Sequence, residues 1–537
     1  MDIKLLYRMP SAVITATVDQ NDWATLSALI LYMLVIIGIG VFYRQRANKS
    51  SEDFFIGGRT LGPWISALSA EASDMSGWLL MGLPGVAYWS GLSDAAWTAI
   101  GLAIGTYLNW LIVAKRLRVY SIVAGDAITV PDYISQRFKE KKPLLMSFAA
   151  LFILVFFTVY AASCFVTIGK LFATLFGTPY ILMVIIGAVF VVSYTFLGGF
   201  LAESVSDFMQ AIVMIISLIV TLYLAVSHAG GVSQVVENVK QIPGFFEFFG
   251  IATPVVENGV QTVQNGVPLF GAADPYSFLV IISTMSWGLG YFGMPQVLLR
   301  FIGIRSNEEI KQARRIATVW CVIALFVAVS IGIAGRVVFP TALASAAQAE
   351  SIFIIVAQRF LPPFIAGIIL AGILAATISS SDSYLLIASS AVAKNFYQHV
   401  FKKDATDKQV MQVSRIVLLL ITVVATIIAL DENSIIFQIV SFAWAGFGAT
   451  FGPVILTSVL WRRVTRQGAL AGMLVGGGMV FVWKLILRPM GGVLGIYELG
   501  PAFLLSLIAI VVVSLLTRPD EAVLAQHDDY LKQFKAN

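Results

Sequence analysis

Apolar positions in this chain come in long, nearly unbroken runs, with polar residues collected between them. A helix needs about 20 apolar residues to cross roughly 30 Å of hydrocarbon. Thirteen runs are long enough, centred near residues 33, 74, 104, 160, 188, 216, 288, 326, 376, 420, 447, 477 and 507. The pattern predicts an all-α polytopic membrane protein with about 13 transmembrane helices in one membrane domain over residues 24–517. Residues 1–23 would precede it and residues 518–537 would form a tail. The first 22 residues lack a clean apolar core and a small-residue cleavage site, so the first span is expected to serve as its own insertion signal.

Composition changes this picture little and strengthens it. With 58% hydrophobic and 12% charged residues, 537 residues carry more apolar surface than one soluble core could hide. Charge adds orientation. Alternate loops, near 44–61, 114–143, 300–315, 394–415 and 462–466, hold together with the tail 27 of the 35 basic residues. The positive-inside rule then puts those loops and the C-terminus in the cytoplasm and the N-terminus outside. The net charge of +5 is thereby absorbed by topology, and a nucleic-acid partner is a poor explanation of it.

One outside loop is long, residues 229–275. It holds VENGVQ (256–261) and VQNGVP (263–268), a near-repeat in which Asn258-Gly259 and Asn265-Gly266 are turn dipeptides. A small extracytoplasmic hairpin is expected, and its bland reading is a solvated loop with no part in transport.

Polar residues inside the runs carry the chemistry. EASDMSGWLLMGLPG (71–85) lies in the second run, and Asp74, 12 residues past Gly62, falls about 18 Å into the bilayer at 1.5 Å per residue. A carboxylate there costs about 2.5–3.5 kcal/mol on insertion scales, so it should face a cation or a wet cavity. Gly77, Gly82, Gly85 and Pro84 weaken the helical ladder beside it, as a broken helix offering backbone carbonyls requires. A structural reading, Asp74 as glue between two helices, competes with this one.

AGILAATISSSDSYLLIASS (371–390) presents Thr377, Ser379, Ser380, Ser381, Asp382 and Ser383. Isolated serines in membrane helices often bond only to their own i−4 carbonyl. Three in a row before a carboxylate form a hard-oxygen set suited to a small hard cation. His228, His399 and His527 fall at ends, loops or tail, and Cys164 and Cys321 lie in separate spans, which disfavours a transition metal or a disulfide framework. In SWGLGYFGMPQ (286–296), Trp287 and Tyr291 are four apart and are expected to share a helix face, beside Gly288, Gly290, Gly293 and Pro295. An aromatic wall next to broken backbone suits a compact solute with an apolar ring or chain and charged ends. Tyr160 is a second candidate wall, with core packing as its alternative.

These segments, with FFTVYAAS (156–163), YTFLGGFLAESVSDFMQA (194–211) and VSFAWAGFGATFGPV (440–454), resemble the sodium:solute symporter family, and within it the bacterial sodium/proline symporters. The resemblance spans roughly residues 24–517. It implies a leucine-transporter-like core of two inverted five-helix repeats, spans 2–6 and 7–11, and sodium-coupled uptake of L-proline by alternating access across the bacterial cytoplasmic (inner) membrane. No cofactor beyond the coupling sodium, no obligate protein partner and no enzymatic activity are implied. A family member carrying another amino acid or a vitamin-like carboxylate is the alternative.

Carried over by motif, the resemblance implies a sodium site of backbone carbonyls at Ala72, Met75 and Ala376 with the hydroxyls of Ser379 and Ser380. Asp74 and Ser76 would couple ion to solute. Gly77, Trp78, Tyr160, Trp287, Tyr291 and Pro295 would form the solute pocket. Asp207 matches an acid near the ion's inward route, and Arg59 an arginine at the cytoplasmic mouth. Ser380 replaces a frequent threonine, Glu71 stands where a small residue is expected, and Asp382 is missing from some proline carriers. An intramembrane hydrolase built on Asp74 and Asp382 is disfavoured by the absence of GxGD and GxSG motifs. A tail of about 20 residues is too short for a signalling domain.

Overall fold

The computed structural model describes residues 20–47, 57–195 and 200–536. Residues 1–19, most of the expected N-terminal segment, lie outside the described residues.

The chain opens with α1 (Gln20–Ala47). The second run is then broken: α2 (Pro63–Asp74) starts on a proline, whose missing N–H has no helical acceptor to satisfy, and a π turn at Trp78–Gly82 leads to α3 (Leu83–Ser90). α4 (Leu92–Asn109) passes through a π turn at Trp110–Ala114 into α5 (Lys115–Val123), followed by the short α6 (Val130–Arg137). Next come α7 (Leu144–Phe176), α8 (Tyr180–Thr195), α9 (Phe200–His228) and the surface helix α10 (Val232–Val239).

Six two-residue strands follow. β1 (Gly250–Ile251) pairs with β6 (Asp274–Pro275), while β2 (Val256–Glu257) with β3 (Val260–Gln261) and β4 (Val263–Gln264) with β5 (Val267–Pro268) form two hairpins. The expected single hairpin is therefore two, one per repeat. Both turns place Asn and Gly at positive φ, 52° and 82° at Asn258-Gly259 and 52° and 80° at Asn265-Gly266, as a two-residue I′ turn demands. The loop is not simply solvated. Arg336 Nη2 donates to Gln261 Oε1 at 2.7 Å, Gln261 N to Ala344 O at 2.7 Å, and Leu92 N to Phe245 O at 2.8 Å.

The other half begins with a second break: α11 (Phe278–Met285), a 3₁₀ stretch Ser286–Gly293, and α12 (Pro295–Gly303), the two arms 45° apart. Then follow α13 (Ile310–Val338), the short α14 (Ala346–Ala349) and α15 (Ile352–Phe360), and α16 (Pro363–Ser390), which continues as a π helix over Ala391–Phe401. α17 (Asp407–Ile428), α18 (Ile436–Leu460), α19 (Arg466–Val482), α20 (Leu499–Leu516) and the tail helix α21 (Glu521–Ala536) complete the chain.

Among the described residues ten helical segments are long and apolar enough to cross a membrane, and the bent pair around Met294 makes eleven. Reaching thirteen requires counting the broken segment 63–90 and the shorter α8 as crossings. α2 leaves the end of the bundle that carries Arg59 and Arg305, whereas α11 leaves the end that carries the hairpins. The two broken segments thus run in opposite directions side by side, with Leu61 N on Gly303 O at 3.2 Å and Ser66 Oγ on Arg300 O at 3.1 Å. Glycine permits the closest approach. A Cβ on Gly105 of α4 would lie 2.3 Å from the Gly288 carbonyl, so only a bare Cα fits between α4 and the second break.

Candidate cation and solute site

Helix α2 stops at Asp74 because Met75 leaves helical geometry, at φ −88° and ψ 79°. That rotation takes the Met75 carbonyl off the helical ladder. Opposite lies α16, buried along its whole inner stretch. Ser379 Oγ donates to Ala72 O at 2.8 Å and to Ala376 O at 3.1 Å, and Ser380 Oγ to Ala72 O at 3.3 Å. Four of the five expected sodium-site groups therefore meet at one seam, with Met75 three residues after Ala72, just past the end of α2. Rotating both hydroxyl hydrogens away from Ala72 would turn the same oxygens into a hard-donor set for a small cation.

Asp74 lies under this seam, fully buried. Its backbone carbonyl accepts from Tyr160 Oη at 3.1 Å and from Trp78 Nε1 at 3.2 Å, so two expected solute residues hold the helix end open. Gln296 Nε2 makes a long hydrogen bond of 3.4 Å to Asp74 Oδ1, while Asp74 Oδ2 and Ser76 Oγ are buried without a hydrogen-bond partner among the described residues. Gly77 sits against Thr167, where a Cβ would come within 2.4 Å of the threonine side chain.

The expected solute residues separate into two levels. An open cavity of about 830 Å³ enters from the hairpin end and reaches Trp287, with Trp89, Tyr276, Phe437 and Tyr497 in its walls. Trp287 is its aromatic floor, 5.0 Å from the Phe437 ring, 5.3 Å from Tyr497 and 6.1 Å from Trp78. Trp78, Tyr160, Tyr291 and Pro295 are buried beneath that floor. The expectation that Trp287 and Tyr291 share a face is corrected here. Residues 286–293 form a 3₁₀ helix, in which positions four apart diverge by about 120°. Trp287 consequently faces the cavity, while Tyr291 turns toward Asp74 and stands edge-on to Trp444, ring centroids 5.1 Å apart.

Below the seam lies an ionic cluster that the sequence reading missed. Arg300 and Arg137, counted above among the basic loop residues, are fully buried in the helices α12 and α6. Arg300 Nη2 meets Glu203 Oε1 at 2.5 Å, Asp207 Oδ2 at 3.0 Å and Ser383 Oγ at 3.1 Å, and Arg300 Nε donates to Ser69 Oγ at 2.9 Å. Ser69 Oγ in turn donates to Asp207 Oδ2 at 2.8 Å, and Ser383 Oγ to Glu203. Asp382 borders the cluster with Oδ1 accepting from Ser383 N at 2.8 Å. Asp207 and, from the serine-rich stretch, Ser383 lie in this cluster; Glu203, Arg300 and Ser69 are residues that the sequence did not single out. A polar quartet at i, i+3, i+4 and i+7 of α9 (Glu203, Ser206, Asp207, Gln210) was the available signal for Glu203. Arg59 stands apart at the basic end, its Nη1 on Ile302 O at 2.9 Å and its Nη2 on Asp126 Oδ1 at 2.7 Å. Glu71 is buried beside Trp110, away from the Ser379 seam.

Comparison with known proteins gives the family and the fold. A family model described as the sodium:solute symporter family matches residues 54–476. The chain is 43% identical over 498 residues to the sodium/proline symporter of Escherichia coli (strain K12), covering 92% of this chain and 93% of that one. With the sodium/proline symporter of Staphylococcus aureus (strain USA300) it shares 39% over 507 residues, covering 93% and 94%. Among solved structures, a Na+-coupled sialic acid symporter in a substrate-bound outward-open state superposes with a TM-score of 0.73 at 18% identity, over 92% of this chain and 98% of that one. The nucleobase-cation-symport-1 family transporter Mhp1 in a closed conformation gives 0.53 at 13% identity, over 90% and 99%. At those identities the superpositions show the fold alone.

Proposed function

This chain belongs to the sodium:solute symporter family, and from that premise we propose that it carries L-proline inward with sodium by alternating access. It is a multi-pass membrane transporter of the leucine-transporter-like fold, with sodium as its coupling ion and no enzymatic role. The observation that carries the mechanism is the seam where Ser379 and Ser380 of α16 meet the carbonyl of Ala72 just before α2 breaks.

Sodium at that seam, held by Ala72, Met75, Ala376, Ser379 and Ser380, would join α16 to the end of α2. Asp74 and Ser76 would then hand the ordered break on to the solute, whose ring would lie against Trp78, Tyr160, Trp287 and Tyr291, with Gly77 and Pro295 freeing backbone for its charged ends. Access from the hairpin end, taken as the outside, runs to Trp287. The other exit is shut by the Arg300 cluster, with Asp207 and Asp382 along the inward route and Arg59 at the mouth. Coupling needs only that sodium bind the solute-competent state better than the other, and linkage makes the effect reciprocal. One charge crossing roughly 100 mV supplies about 2.3 kcal/mol, and a tenfold sodium gradient about 1.4 more. That supports accumulation of several hundred-fold.

The termini follow from the basic loops: N-terminus outside, C-terminus cytoplasmic, in the bacterial inner membrane. The test is uptake of labelled proline into proteoliposomes with sodium, lithium and proton gradients imposed one at a time. Sodium-driven accumulation is expected. Uptake indifferent to sodium, or a panel solute outcompeting proline, would overturn the assignment.

A further inference from the structure

A 3₁₀ helix as long as Ser286–Gly293 is uncommon, because its hydrogen-bond geometry is poorer than that of an α-helix, so its surroundings must hold it. Two of its carbonyls are held from outside. Asn109 Nδ2 of α4 donates to Tyr291 O at 2.9 Å, and Trp444 Nε1 of α18 donates to Trp287 O at 2.7 Å. The break therefore hangs between a helix that precedes it and one that follows it. Asn109 and Trp444 are both fully buried, in surroundings where a carbonyl left without its donor is costly.

Trp444 belongs to a face of α18 shaped to this break. Phe437, Trp444 and Gly448 follow at i, i+7 and i+11, which puts them on one side of the helix. Phe437 lays its ring 5.0 Å from that of Trp287, Trp444 takes the carbonyl of the same residue, and a Cβ on Gly448 would stand 2.8 Å from the Gly290 Cα. Gly290 in turn leaves room for the indole, since a Cβ there would lie 1.9 Å from Trp444 Nε1. Tyr497, whose ring lies 5.3 Å from Trp287, donates its hydroxyl to Ser441 O of the same helix at 2.7 Å. α18 thus grips Trp287 by its ring and by its carbonyl. A buried indole must place its N–H on some acceptor. Here the acceptor is the carbonyl of the residue that floors the cavity, at the point where the chain has left α-helical geometry.

We infer that Trp444 is a positioning residue for solute recognition: its indole N–H fixes the Trp287 carbonyl, and with it the 3₁₀ winding that turns Trp287 to the cavity and Tyr291 toward Asp74. The inference rests on the reading of Trp287 as part of the solute's aromatic wall and deepens it. Trp444 is fully buried and lies outside the cavity walls, so it acts through the floor and not on the solute. Without its N–H the stretch can relax toward an α-helix, in which positions four apart diverge by about 40° instead of about 120°. Trp287 and Tyr291 would then swing toward one face, and the floor would leave its place.

The test is the kinetics of labelled proline uptake in proteoliposomes of the full chain, native against Trp444→benzothienylalanine, which keeps the shape of the indole and replaces its N–H by sulfur. The expected result is a proline KM raised roughly ten-fold. The maximal rate per inserted carrier, and the half-saturating sodium read at saturating proline, should stay as in the native chain. Trp444→Phe, which also lacks the N–H, should raise KM in the same direction. A native KM in the benzothienylalanine variant overturns the inference, because shape alone would then suffice. So does a fall in maximal rate or melting temperature with KM unchanged, which would leave Trp444 a packing residue only. Should the native chain carry another solute of the panel in place of proline, the proline assignment falls, and the same comparison made with that solute still judges Trp444.

Discussion

The hydroxyl of Ser379 donates to the carbonyl of Ala72 across 2.8 Å, joining a helix of one half of the molecule to the last turn before the break in the other. Each hydroxyl removed from that seam takes one oxygen from the proposed ion in a poorly hydrated site. A loss of about 1–3 kcal/mol is expected, or roughly five- to a hundred-fold in sodium affinity. Ser379→Ala and Ser380→Ala should raise the sodium needed for half-maximal uptake, with saturating sodium recovering much of the rate. Ser380→Thr, which keeps the hydroxyl, should be mild. If the alanine variants changed only proline affinity at saturating sodium, the ion would lie elsewhere.

Asp74→Asn preserves volume and the contact with Gln296 while removing the charge. Sodium-dependent uptake should be lost almost entirely, with the protein still inserted and at normal abundance. Normal sodium dependence in this variant would remove Asp74 from the coupling.

Trp287→Ala opens the floor of the cavity, whereas Tyr160→Phe deletes the hydroxyl on Asp74 O. The first should chiefly weaken apparent proline affinity. The second leaves a carbonyl at the helix break short of one donor and should alter the sodium dependence as well. Kinetics at varied sodium and varied proline separate the two.

The tail helix supplies a pH dependence away from the membrane. His527 is buried against Tyr120, whose hydroxyl lies 3.3 Å from its Nδ1, with Arg137 Nη2 at 3.4 Å. Burial first and the Arg137 charge second pull its pKa down to about 4. The undocked side chain titrates near ~6.5, so the docked helix prefers neutral histidine. Docking of α21 should be strongest above that value, weaken as pH falls, and bottom out below about 4. Hydrogen-exchange protection of residues 521–536, followed with pH, should show that decline, and His527→Gln should flatten it.

Much of this was legible because the membrane imposes simple rules. Apolar runs gave the helical segments, and Gly77, Pro84 and Gly288 marked the breaks, since only backbone buried in protein or lining a cavity leaves the ladder. The serine run and Asp74 stood out against apolar neighbours. Arg300 did not, because a single arginine at the end of an apolar run reads as a loop residue, and only tertiary packing shows that α12 carries it inside. The separation of Trp287 from Tyr291 was equally hidden: three glycines signal that a helix is weak, but not that it winds as 3₁₀.

Arg300 carries the most exposed consequence of the packing. Its guanidinium ties α2 through Ser69, α9 through Glu203 and Asp207, and α16 through Ser383, all beneath the ion seam. Removing it leaves two carboxylates buried without a cation, and breaking a buried pair from one side costs about 3–5 kcal/mol. Arg300→Ala should therefore unfold at distinctly lower temperature in detergent. Much of that loss should return in Arg300→Ala combined with Glu203→Gln and Asp207→Asn, because neutral amides no longer need the cation. The same triple variant would lack the closure at the basic end, so a cysteine placed at Ser69 should react with a thiol reagent from that side in the triple variant and stay protected in the native background. Equal protection in both would mean that the cluster only stabilises the bundle and that another layer shuts the inward route.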